Sequence, residues 1–132
     1  MTDGLRVNPS GEFAWKALGT IRLINGALAL LAPRWLARRL DVKPELQPAM
    51  LYALRMFGIR TVLIGADLWL NANKRHRSLR QGILIHASDT MAALIATIFG
   101  ELPVRSGVTA MAISSVNTVL AVVASGATSP RR

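Results

Sequence analysis

The chain has 132 residues, more than half of them hydrophobic, and carries a formal charge of +9. This is enough for one domain, and its apolar residues run in four long blocks instead of the amphipathic or alternating patterns of a soluble fold. Cysteine is absent, which excludes disulfides, thiolate metal sites and cysteine nucleophiles. The 16 Lys and Arg lie dispersed between the apolar blocks with no nucleic-acid motif among them, so the charge points to anionic lipid and not to nucleic acid.

The first apolar block covers residues 14–32, close to the roughly 20 helical residues that cross a hydrocarbon core. A cleaved signal segment ending at Ala27-Leu28-Ala29 is the lesser reading, because Arg22 interrupts what would be its uncharged centre. Residues 33–48 are too charged to cross. Trp35, Leu36 and Leu40 can face lipid while Arg34, Arg38 and Arg39 face headgroups, which predicts a short interfacial helix over 33–40. Helix and irregular loop stand equal for 41–48. The second block covers 49–70, the third 82–99 and the fourth 104–124, with Pro33, Pro48, Gly100 and Pro103 as punctuation. Each span must satisfy its own backbone, so the expected fold is all-α, a four-transmembrane-helix bundle with a short interfacial helix between the first two spans.

Trp15, Trp35, Tyr52 and Trp69 fall near the proposed boundaries, the depth their part-apolar rings favour. Arg6, Lys16, Lys74, Arg75, Arg77, Arg80, Arg131 and Arg132 put eight positive charges on one side. The other side has five: Arg34, Arg38, Arg39, Lys43 and Arg105. The bias places both termini in the cytoplasm. Arg34, Arg38, Arg39, Arg55, Lys74, Arg75 and Arg77 are the expected contacts with anionic headgroups.

Charge within a span costs about 2.5–3.5 kcal/mol per residue on insertion scales, so it must turn toward protein, water or a partner. Arg22 and Asn25 share a face of the first span, Arg60 and Asp67 of the second, and His86 and Asp89 of the third, with Asn117 in the fourth. Antiparallel spans joined by a loop over 71–81 set Arg60 beside Asp89 at mid-depth and Asp67 beside His86 nearer the cytoplasm. The expected network opposes Arg22 and Arg60 to Asp89 and Asp67, with His86 as a further partner. The surplus of one positive charge favours an external anion. A proton relay through Asp89 and His86 is a further alternative.

Small residues recur every four positions at Ser88, Ala92, Ala96 and Gly100, and at Ser106, Ala110, Ser114 and Thr118. Gly19 and Gly26, and Gly58 and Gly65, recur at seven. Such stripes let helices approach closely in lipid, within this chain or against a partner. Phosphate loops, dinucleotide fingerprints, paired-histidine zinc motifs and serine elbows are missing, and His86 with Asp89 makes a poor metal site, so no cofactor or metal is expected.

The run Arg55-Met56-Phe57-Gly58-Ile59-Arg60, followed by Gly65, His86 and Asp89, resembles a group of small bacterial four-helix integral membrane proteins of unknown function. The likeness covers residues 50–125. Thr61 stands where an acidic residue often follows in that group. The resemblance implies the fold and the bacterial inner membrane but no chemistry. The leading expectation is therefore a non-enzymatic accessory subunit of a larger membrane transport complex, a lipid importer being one such complex. The alternative is a small homo-oligomeric transporter or anionic-lipid-binding protein using the mid-span Arg and Asp. A membrane enzyme using His86 and Asp89 is the third.

Overall fold

A computed structural model describes residues 9–41, 43 and 48–127. Among them the chain is helical throughout: α1 (Pro9–Leu31), α2 (Pro33–Arg39), α3 (Pro48–Leu70), a 3-10 turn (Ala72–Lys74), α4 (Arg75–Ile98) and α5 (Val104–Ala127). The short helix over 33–39 is present where expected, with Pro33 in its first turn, Trp35 half exposed and Arg39 stacked on that ring at 5.1 Å. Most of 41–48 lies outside the described residues.

Two helix starts differ from the sequence expectation. α1 begins at Pro9 and α4 at Arg75, so most of the proposed 71–81 loop is helix. Hydropathy marks where an apolar block starts, whereas a helix extends through any polar turn whose residues tolerate it, as Arg75 to Gln81 do. α4 stops at Gly100, which takes a left-handed φ of 72° while the amides of Glu101 and Leu102 close back on Ala96 O. Gly100 has nothing within 4 Å of where a Cβ would sit, so it ends the helix and packs against nothing.

α1 is the central helix. It packs most extensively on α3 and also on α5; α5 packs on α4, while α3 and α4 touch far less. The hydrogen bonds between α3 and α4 sit beside their connection, where Arg75 Nε donates to Leu68 O at 3.2 Å and Ser78 Oγ donates to Asp67 Oδ2. The α1–α3 contact is set by glycine. A Cβ on Gly26 would stand 2.9 Å from Gly58 O, and one on Gly58 would stand 2.7 Å from Gly26 O. Gly19 lies under Trp69, and Gly65 against the Cβ of Arg22. On the other pair, Gly107 of α5 receives the side chain of Thr97.

Three helices are long and apolar enough to cross a membrane: Pro48–Leu70, Ala72–Ile98 and Val104–Gly126. α1 is not among them, because Lys16, Arg22 and Asn25 interrupt its apolar run. The interruption fits its position: α1 buries more residues against its neighbours than any other helix. The outer faces of the helices carry large apolar side chains in the open, among them Leu63, Leu84, Ile98, Val108 and Val119.

The apolar core sits at one end. Trp15, Leu18, Leu68 and Leu79, with Ala14, Ala121 and Ala124, form a plug beside the α3–α4 connection. Trp69 meets Trp15 edge to face at 5.1 Å, and the Arg75 guanidinium lies 3.9 Å above the Trp15 ring. At the opposite end α2 lies against α1 and α3, and Ser106 Oγ donates to Leu40 O at 2.7 Å, tying α2 to the start of α5.

Candidate functional site

Above the plug the interior turns polar. Arg22 projects from α1 toward α4, where its guanidinium lies over Gly82 and donates twice to His86 Nε2, from Nε at 3.2 Å and Nη2 at 2.8 Å. Arginine has no acceptor, so His86 Nε2 accepts and the ring is neutral with its proton on Nδ1. That Nδ1 faces Asp89 Oδ2 at 3.9 Å. Arg22 is 2 % exposed and His86 7 %. Gly82 stands one helical turn before His86, and a Cβ there would stand 2.5 Å from Arg22 Nη2, so the guanidinium would have to shift.

A cavity of about 70 Å³ opens from this pair. All four long helices line it: Arg22 and Asn25 from α1, Arg60 and Thr61 from α3, His86 and Asp89 from α4, and Ser114 and Asn117 from α5. Exposure rises across it. Arg22, His86 and Asn117 are buried at its floor, whereas Phe57, Arg60 and Ile113 are exposed at its rim. The plug closes one end and α3 and α4 touch little beyond their connection, so the opening is on the side where α3 and α4 leave each other.

Two buried polar atoms at the floor have no hydrogen-bond partner among the described residues, Arg22 Nη1 and Asn117 Oδ1. An unsatisfied buried donor costs about 1–3 kcal/mol, and more when charged. The direct ion pairs expected from the sequence do not form. Among the described residues neither Arg22 nor Arg60 lies within ion-pair distance of an aspartate, although both act on Asp89 electrostatically. Asp67 does not meet His86; it accepts from Asn71 and Ser78 at the α3–α4 connection. The reason is register: with α4 starting at Arg75, Ser78 comes level with Asp67, and His86 sits farther along, opposite Arg22.

The remaining predicted residues divide. Ser88 and Ala92 on α4, and Gly100 just past its end, are exposed and Ala96 is half-buried, so this stripe looks outward, while Thr97 meets Gly107 of α5. On α5, Ser106 is buried and Ala110, Ser114 and Thr118 are half-buried. Arg34, Arg38, Arg39, Arg55, Lys74 and Arg77 are exposed, while Arg75 turns inward onto Trp15. Sequence reasoning missed Ser78 and Gly82. Both lie on the inward face of α4, Ser78 in the stretch read as loop and Gly82 at the first residue of the third apolar block.

Among the described residues no three His, Asp or Glu side chains converge as a metal site would require. The arrangement at the cavity is one of hydrogen-bond donors and cations around a small space, suited to holding an anionic or strongly polar group. Comparison of the chain with protein families, curated proteins and solved structures finds no match.

Proposed function

We propose that this chain is a multi-pass membrane protein without enzymatic activity that docks inside the bilayer onto a larger membrane transport complex, a lipid importer being one such complex, and stabilises or regulates it. The observation that carries the reading is Arg60. It stands in the middle of an apolar helix, exposed, with no ion pair among the described residues. A cation at that depth does not face acyl chains; it faces water or a partner. On α4, the outward stripe of Ser88 and Ala92 gives a partner helix room for close approach. Among the described residues few lie outside the helices. The bacterial inner membrane with cytoplasmic termini accords with the eight-to-five distribution of Lys and Arg.

Crosslinking in native membranes followed by purification in mild detergent tests the proposal. A stoichiometric membrane partner is expected, and Arg60→Leu is expected to release it. A wild-type chain that runs alone after crosslinking contradicts the reading. The alternative, an anionic-lipid-binding protein or small homo-oligomeric transporter, is favoured by a different observation, the lateral polar cavity itself.

A further inference from the structure

The cavity has the electrostatics of a half-filled site. Around it stand two guanidinium groups, Arg22 and Arg60, and one carboxylate, Asp89, while His86 is neutral because its Nε2 accepts from Arg22. The sum is one positive charge in surplus. At the floor, Arg22 Nη1 has protons to donate and no acceptor among the described residues, and the residue is 2 % exposed. Asn117, 5 % exposed, also presents an unused polar atom there, and turning its amide over would offer Nδ2 in place of Oδ1.

Asp89 does not fill the role of counter-ion. It leans toward His86 Nδ1 and stays beyond ion-pair distance of both arginines. A cavity of about 70 Å³ exceeds several-fold the roughly 10–15 Å³ a single water needs, and matches a small group of a few heavy atoms. Water alone supplies hydrogen bonds but leaves the charge surplus standing in a low-dielectric interior.

We propose that the cavity binds one singly charged oxyanion, a carboxylate or a phosphate group, held by Arg22 and Asn117 at the floor and drawn in past Arg60 through the opening between α3 and α4. The inference rests on the lipid-binding reading of the cavity and stands apart from the docking of a partner. The rim residues Phe57 and Ile113 are apolar and exposed, so an acyl chain attached to the anion can lie along the outside while its head enters. The same oxyanion chemistry is offered by a lipid head or by a small free anion.

Equilibrium binding to the full-length chain in uncharged detergent separates these. The probes are oleate, phosphatidylglycerol, acetate, inorganic phosphate and, as the uncharged counterpart of oleate, oleyl alcohol. Saturable binding of oleate or phosphatidylglycerol at one per chain supports the site with a lipid source. Saturable binding of acetate or phosphate supports it with a free anion. In either case Arg22→Gln is expected to weaken binding at least about ten-fold, and Asn117→Leu and Arg60→Gln less. Should Arg22→Gln fail to fold by circular dichroism, Arg22→Lys and Asn117→Leu carry the comparison.

Binding of oleyl alcohol as tight as that of oleate overturns the oxyanion and leaves lipid binding in place. Absence of binding by every probe overturns both. Equal affinity of wild type and the cavity variants for an anion also overturns the proposal, because the anion then sits elsewhere. Partner retention after crosslinking is compared for wild type, Arg22→Gln and Asn117→Leu, because Arg60 serves both readings, and its loss in wild type overturns docking alone.

Discussion

At the residue scale, the interior depends on a cation placed where only protein surrounds it. Arg22 gives two of its donors to one histidine nitrogen, and the histidine is thereby held neutral and in one tautomer. Removing the acceptor strands two more donors beside the one already unpaired. His86→Ala is therefore expected to lower stability by about 1–3 kcal/mol in equilibrium unfolding from mixed micelles. His86→Gln, which keeps a side-chain acceptor, is expected to lose clearly less. Equal losses for the two variants would mean that packing, and not the hydrogen bond, is what His86 contributes. Arg22, His86 and Asn117 were legible as interior residues because a polar group in an apolar run has few places to go. Their partners were not. Pairing was inferred by counting outward from a loop, and an error in where α4 begins moves every pair along the helix, which is why Asp67 meets Ser78 and not His86.

At the element scale, the helices are held together by close approach at a few positions. Gly26 and Gly58 bring the backbones of α1 and α3 within a distance that no Cβ permits. Gly58→Ala would set its new methyl 2.6 Å from Leu30 N, where only a shift of backbone can relieve it. The expected loss is about 1–3 kcal/mol, read from the same unfolding experiment. Gly126→Ala, with nothing within 4 Å, is expected to change stability by no more than about 0.5 kcal/mol or to raise it slightly. The seven-residue spacing of the glycines was visible in the sequence, and it leads directly to this contact. Ser88, Ala92, Ala96 and Gly100 share a comparable period, yet Gly100 ends a helix and Ser88 and Ala92 look outward. Period alone identifies a face without saying what the face meets. α2 was readable because Pro33 starts it and its polar and apolar residues divide cleanly, whereas its anchor, Ser106 on Leu40 O, joins residues 66 positions apart and leaves no local trace.

At the scale of the whole molecule, the surface is apolar where that of a soluble bundle is polar, and the interior beyond the apolar plug is polar. Apolar side chains such as Ile24, Leu63, Leu84 and Val119 lie in the open on the four long helices, while arginine, histidine and asparagine occupy the interior. In water such a surface would bring chains together; in hydrocarbon it is the favourable face, and the polar centre is what must be shielded. α1, whose apolar run is interrupted by Lys16, Arg22 and Asn25, is the helix that buries the most residues against its neighbours. The membrane placement of all four helices is thus the claim on which docking and anion binding both depend. The chain has no cysteine, so single cysteines can be introduced at Ile24, Leu63, Leu84 and Val119 and spin-labelled in reconstituted vesicles. All four labels are expected to relax readily with oxygen dissolved in the bilayer and to be shielded from a water-soluble nickel chelate. Ready access of the chelate to these positions, at the level of a label on a solvated loop, would contradict that placement.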